Sequence, residues 1–293
     1  MNVLVCGARG FVGRAVCDAL RRRGHRVTAT TSSRSSGDGV AVDFAQDTDP
    51  ATWRPRLIGI DAVVNAVGVL RDSPRRPIAA VHQHVPRALF EACAEAGVRR
   101  VVQVSALGIE GSGTAYARTK LAAEETLLAL TDADRLDGVI VRPSIVFGTG
   151  GASSQLLLAL SRLPAMLLPA AVRLTQVQPV AVGELGEALA SLVDAPARAE
   201  RVLAAVGPEP VALGDFVASL RAQAGRSPAW VGTLPAALAR WSARAGDRVP
   251  ISPWCSETLA LLGADNTAAP AAFERVLGRR ATRFDALLAG ARA

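Results

Sequence analysis

A glycine-studded turn near the start constrains this chain more than any other feature. The apolar run Val3-Leu4-Val5-Cys6 leads straight into Gly7-Ala8-Arg9-Gly10-Phe11-Val12-Gly13, and an amphipathic stretch follows as far as Arg23, before Gly24. A strand, a turn with three glycines and a helix in immediate succession suit a dinucleotide. The first glycine permits the tight turn, the second lets a pyrophosphate approach the backbone, and the third lets helix pack close to strand. The helix then aims free N–H groups and its positive dipole end at the phosphates. Glycines three apart carry little weight alone; the strand before and the helix after give them meaning.

The alternation continues along the first half. Strands are predicted over 2–6, 26–30, 39–44, 61–67, 100–105 and 138–142, with helices over 12–23, 78–96 and 116–130. Such alternation implies a parallel sheet covered by helices on both faces, and the continuous Val/Ile/Ala strands suit burial on both sides. The expected fold class is therefore α/β, a Rossmann-type doubly wound parallel sheet. After Gly148 the pattern loosens. Helices are predicted over 153–162, 184–193 and 213–224, and short strands over 177–182 and 202–206. Short amphipathic segments then follow, broken by Pro235, Pro250, Pro253 and Pro270. Residues 1–150 read as the dinucleotide-binding domain. Residues 151–293 read as a smaller C-terminal substrate lobe, interwoven with the first domain.

Charge narrows the partners. Lys and Arg exceed Asp and Glu by 33 − 26 = +7, but the excess is scattered arginine, and no nucleic-acid motif accompanies it. The four cysteines form no C-x-x-C pair, so no metal or redox site is expected. The apolar run at 163–172 contains Pro164 and Pro169 and falls short of the ~20 residues that span a bilayer. With no basic leader ahead of Val3, a cytoplasmic protein is expected. A small-molecule substrate is the expected partner, and a homo-oligomer stays open.

The second strand runs into Thr30-Thr31-Ser32-Ser33-Arg34. NAD sites usually place a carboxylate there for the ribose 2′-hydroxyl. Hydroxyls and a guanidinium would instead hold a 2′-phosphate, and Arg9 is a second candidate for it. NADP(H) is accordingly expected over NAD(H), with a solvated loop residue as the alternative reading of Arg34.

Tyr116-Ala117-Arg118-Thr119-Lys120 opens a predicted helix, and its i, i+4 spacing puts Tyr116 and Lys120 on one face. Hydride addition to a carbonyl creates an alkoxide that needs a proton. A tyrosine can give it if a nearby ammonium lowers its pKa from about 10. Tyr116 is the only tyrosine in the chain.

The G-x-x-G-x-x-G spacing, taken with this pair, resembles the extended and atypical branches of the short-chain dehydrogenase/reductase superfamily. The resemblance implies that Gly7, Arg9, Gly10, Phe11, Val12 and Gly13 hold the cofactor with Thr31, Ser32, Ser33 and Arg34. It also implies that Asp43 and Phe44 flank the adenine and that Asn65-Ala66-Val67-Gly68 lies beside the cofactor. Ser105 would hydrogen-bond the substrate oxygen, with Tyr116 and Lys120 completing the catalytic set. The 11 residues from Ser105 to Tyr116 are few for the family, so Ser112 and Thr114 stay open as alternatives. The segment from Arg142 to Gly148 matches one whose backbone, here Pro143, Ile145 and Val146, approaches the nicotinamide. His82 stands where the family has an active-site Asn; it reads either as the holder of a relay water or as a solvated helix residue. Gln178-Pro179-Val180-Ala181-Val182 is similar to a segment of an atypical subgroup that includes the nucleotide-binding accessory subunit of respiratory complex I.

The implied activity is NADP-dependent hydride transfer between nicotinamide and a carbonyl or alcohol. Two other readings stay open: a non-catalytic NADP-binding redox sensor or accessory subunit, and a nucleotide-sugar epimerase.

Overall fold

The computed structural model describes residues 1–32, 39–196, 200–249 and 254–290. Strand β1 (Asn2–Cys6) is fully apolar past its first residue and lies between two parallel neighbours, β2 (Arg26–Thr31) and β4 (Ala62–Asn65). Outside β2 lies β3 (Gly39–Ala41); outside β4 lie β5 (Arg100–Val104) and β6 (Asp137–Pro143), all parallel. A seventh strand, Val202–Ala205, closes the far edge next to β6. The strand order reverses direction between β1 and β4, and ligands of such sheets bind beyond the carboxyl ends of the strands at that point.

The chain divides into two compact units, residues 1–142 with 183–203, and residues 143–182 with 204–293. In the first, helix α1 (Phe11–Arg22) buries Val16, Cys17, Ala19 and Leu20. The helix Val182–Asp194 lies against α1 so closely that a Cβ on Gly186 would stand 2.7 Å from the Ala15 carbonyl. A core on the other side joins Leu4, Val63 and Ile140 to Trp53, Leu89, Phe90 and Leu127. These side chains come from the short α2 (Pro50–Trp53), from α3 (Val85–Ala96) and from α4 (Ala115–Asp132). Gly97 ends α3 at φ +76°, the left-handed turn that glycine adopts without steric cost.

The second unit has its own core, with Phe147 and Phe216 edge to face at 5.7 Å between ring centroids. It contains a parallel pair of strands, Ala165–Pro169 and Trp230–Leu234, which the sequence pattern did not predict. The strand predicted over 177–182 is two short pieces, Gln176–Val177 and Val180–Ala181. Pro179 between them has no N–H to continue a ladder.

Candidate active site

At the carboxyl end of β1, Gly7 turns back at φ +79°. Its carbonyl accepts from the Gly10 N–H at 2.8 Å, and its own N–H donates to Thr30 Oγ1 at 3.2 Å. A Cβ on Gly13 would lie 2.0 Å from the Gly7 oxygen, so only glycine lets α1 approach this turn. Gly10 caps α1 without a side chain, and the first turn holds no acidic residue. Its N–H groups are therefore available to an anion.

Across the turn, Asn65 is buried at the end of β4. Its Nδ2 donates to Gln103 Oε1 at 2.8 Å, and its Oδ1 accepts from the Val67 N–H at 3.3 Å. Asn65 therefore fixes the backbone of Ala66 and Val67; a Cβ on Gly7 would stand 3.1 Å from the Ala66 oxygen and from Val67 Cγ2. Gly68 faces two polar groups: its missing Cβ would be 3.6 Å from both His82 Nε2 and Lys120 Nζ. Lys120, 4% exposed, donates from Nζ to the Val104 carbonyl at 3.0 Å. His82 meets Tyr116 edge to face at 5.2 Å. Thr114 caps α4 by accepting from the Ala117 N–H at 3.2 Å. That cap places Tyr116 in the first turn and Lys120 one turn on.

Three hydroxyls stood open as the oxygen-binding group. Thr114 is engaged as the helix cap, and its Oγ1 lies 3.1 Å from Ser112 Oγ. Ser105 follows the carbonyl that holds Lys120; its Oγ is buried with no hydrogen-bond partner among the described residues.

The NAD dependent epimerase/dehydratase family pattern matches residues 3–195, from the first strand to the end of the helix Val182–Asp194. The chain belongs to that family. Family membership agrees with the short-chain dehydrogenase/reductase resemblance read from the glycine turn. The chain is 31% identical over 172 residues to the sterol demethylase protein B of Methylococcus capsulatus, a match that takes in 50% of this chain and 52% of that one; it thus spans about half that relative's length. It is 26% identical over 268 residues to the NADH dehydrogenase (ubiquinone) 1 alpha subcomplex subunit 9, mitochondrial, of Rattus norvegicus, covering 86% of this chain and 69% of that one. Among solved structures it is similar to gox2253, with a TM-score of 0.72, 25% identity and coverage of 99% and 97%.

In this epimerase/dehydratase family member, the remaining predicted residues fall in several places. Ser32 is exposed at the end of β2, and Ser33 and Arg34 lie outside the described residues. Arg9 is exposed; its carbonyl accepts from Arg14 Nη1 at 2.7 Å. Asp43 caps its own turn, with Oδ1 accepting from the Ala45 N–H at 2.8 Å, and Phe44 packs on Trp53 at 6.2 Å. Pro143, Ile145 and Val146 belong to the second unit. There the Ile145 carbonyl accepts from the Val180 N–H at 2.9 Å, and Val146 pairs with Val180.

The electrostatics differ from the Tyr-Lys expectation. Burial pushes the Tyr116 hydroxyl up to about 12, where the spacing predicts a lowered value. Burial also lowers Lys120 to about 8, against the opposing charge of Glu124. Glu124 is four residues past Lys120 and 2% exposed. It accepts from Arg142 Nε at 3.0 and 3.2 Å, and Arg142 Nη1 donates to Glu110 at 2.7 Å. The sequence reading missed this carboxylate, although its i, i+4 spacing from Lys120 was available as a signal.

His82 is no solvated helix residue: it is 1% exposed and sits in a π-helical turn, Ala80–His84. Such turns are rare and frequent at functional sites. Its Nε2 accepts from the Val69 N–H at 2.9 Å. The ring proton is therefore on Nδ1, 3.3 Å from Thr119 Oγ1, and that hydroxyl in turn donates to the Ala115 carbonyl at 2.8 Å. Burial first, and the Lys120 charge second, hold the His82 pKa down at about 2. Its folded value lies below the unfolded value of about 6.5, so the unfolded chain binds the extra proton. Stability is then full above pH ~6.5 and falls as pH drops, by at most ~1.4 kcal/mol per pH unit. Urea unfolding between pH 6.5 and 5, above the range where ordinary carboxylates titrate, should show this slope in the wild type and a flatter one in His82→Asn. Equal slopes would mean that His82 is not held neutral.

Proposed function

We propose that the chain is an NADP-dependent oxidoreductase that transfers hydride between nicotinamide and a carbonyl or alcohol carbon of a small-molecule substrate. The observation that carries this reading is the orphaned Ser105 hydroxyl, on the residue that follows the carbonyl holding the buried Lys120 ammonium. A buried hydroxyl without a partner costs roughly 1–3 kcal/mol, and a substrate oxygen would satisfy it. The glycine turn fits a dinucleotide: Gly7, Gly10 and Gly13 leave a bare backbone, the first turn of α1 has no competing carboxylate, and Asn65 sets the facing strand end.

When bound, the cofactor supplies or accepts the hydride. The protein does the rest. Ser105 donates to the substrate oxygen and fixes its direction. The Tyr116 hydroxyl gives its proton to that oxygen as charge builds on it, and is reprotonated afterwards. Lys120, anchored on the Val104 carbonyl and backed by Glu124 and Arg142, supplies positive charge that favours the phenolate once the proton has left. His82 is neutral and donates towards Thr119, so its role is to hold the Val69 backbone and the edge of the Tyr116 ring.

NADP preference rests on Thr30, Thr31 and Ser32 at the end of β2, none of them a carboxylate, and on the exposed Arg9 of the glycine turn. Calorimetric titration should give tighter NADPH than NADH binding. Arg9→Ala and Arg34→Ala should each weaken NADPH by roughly tenfold, the scale of one charge-assisted hydrogen bond, and leave NADH unchanged. Equal or tighter NADH binding would remove the preference. Turnover is tested by following nicotinamide absorbance with NADPH and a panel of aldehydes, ketones, quinones and nucleotide sugars.

A further inference from the structure

The helix Ala236–Gly246 in the second unit is packed on one face only. Its buried residues are Ala239 and Ala243, four apart, and at the edge of that face Trp254 Nε1 donates to Ser242 Oγ at 3.2 Å. On a helix that turns about 100° per residue, Leu238, Trp241 and Ala245 share the opposite face. Leu238 is 54% and Trp241 71% exposed. A soluble helix would normally show charged side chains there, not its largest apolar ones.

The flank of this stripe is cationic. Arg240 and Arg244 lie along one side of it, and neither has an ion-pair partner among the described residues. Residues 226–249 contain Arg226, Arg240, Arg244 and Arg248 against the single acid Asp247, 4 − 1 = +3. Asp247 is engaged elsewhere, accepting from the Ser256 N–H at 2.8 Å and from Ser256 Oγ at 2.6 Å. The strand leading into the helix adds Trp230, 65% exposed, whose ring covers Gly232 beside the exposed Leu167.

We propose that the helix Ala236–Gly246 docks this chain on an anionic lipid surface, with Leu238 and Trp241 entering the headgroup boundary and Arg240 and Arg244 on lipid phosphates. Tryptophan favours that boundary, being apolar in body with a polar N–H. Arginine beside it gains from negative headgroups. The helix has 11 residues, about half of what a bilayer span needs, so it lies in the surface and does not cross. A second copy of the chain is a poorer occupant, because it would bring a like-charged segment against this one with no acid to pair it.

The test is flotation of the full chain with vesicles of phosphatidylcholine alone, or of equal parts phosphatidylcholine and phosphatidylglycerol. The chain should float with the anionic vesicles, shift its tryptophan emission to the blue, and be released by high salt. The double variant Leu238→Ser with Trp241→Ser, and the double variant Arg240→Gln with Arg244→Gln, should each lower partitioning by roughly tenfold or more. All four side chains are exposed, so thermal midpoints should hold; the arginine pair keeps the test valid if the apolar pair disturbs folding. The proposal is overturned if the wild type does not float, or if the variants float equally well. It is also overturned if the variants instead lose a concentration-dependent self-association seen by sedimentation, which would assign the face to a second copy.

Discussion

Tyr116→Phe is expected to lower turnover on a true substrate by a factor on the order of 10²–10⁴, the usual contribution of a positioned acid. Removing one oxygen removes the proton that the substrate must receive. The ring carbons stay, so the edge contact with His82 at 5.2 Å survives, and the thermal midpoint should move little. NADPH affinity should also hold, because the phenol acts on substrate. Lys120→Met is the contrasting variant: it removes the donor to the Val104 carbonyl and leaves Glu124 without the ammonium charge. Turnover and stability should both fall. A Tyr116→Phe enzyme with full activity would show that another group gives the proton, and Ser105 would be the next to test.

The second large effect is at the glycine turn, where two neighbouring glycines should fail differently. A Cβ on Gly10 would be 3.0 Å from the Gly7 oxygen, a tight but adjustable contact at an ordinary negative φ. Gly10→Val should therefore fold while losing NADPH affinity by roughly a hundredfold or more, because its side chain stands where the pyrophosphate must approach. Gly13→Ala meets backbone, at 2.0 Å from that same oxygen, which cannot yield without moving α1 off the sheet. It should cost about 1–3 kcal/mol or more in stability, read as a lowered midpoint in urea. If Gly10→Val binds NADPH normally, the turn is not the phosphate site.

What the sequence disclosed divides by how local each signal is. The first strand, the glycine turn and α1 were legible because each rests on neighbouring residues: an apolar run, glycines at positions that reject a Cβ, and a helical period. The parallel order was legible from the alternation of elements. The paired strands Ala165–Pro169 and Trp230–Leu234 were not. One is bracketed by Pro164 and Pro169, and its partner lies more than sixty residues away in the chain, so only tertiary pairing makes either a strand. The π-helical turn at Ala80–His84 was invisible as well, since one widened turn hardly disturbs a helical pattern. Yet that turn puts His82 between Val69 and Thr119 in the site.

The candidate site shows the same division. The Tyr-x-x-x-Lys spacing correctly placed Tyr116 and Lys120 on α4, but it could not show what surrounds them. Burial, which no spacing records, raises the phenol and lowers the ammonium. Likewise, the spacing left Ser112 and Thr114 as alternatives to Ser105 and could show neither that Thr114 is engaged as the helix cap nor that the buried Ser105 hydroxyl has no partner among the described residues.

The most direct measurement of the central claim is isotope transfer. NADPH carrying deuterium at the transferable position of the nicotinamide is incubated with the full chain and the carbonyl panel, and products are read by mass spectrometry. Deuterium is expected on the former carbonyl carbon of at least one product, formed by the wild type and reduced by two orders of magnitude or more in Tyr116→Phe. Tight NADPH binding with no label in any product, or equal labelling by both proteins, would contradict it.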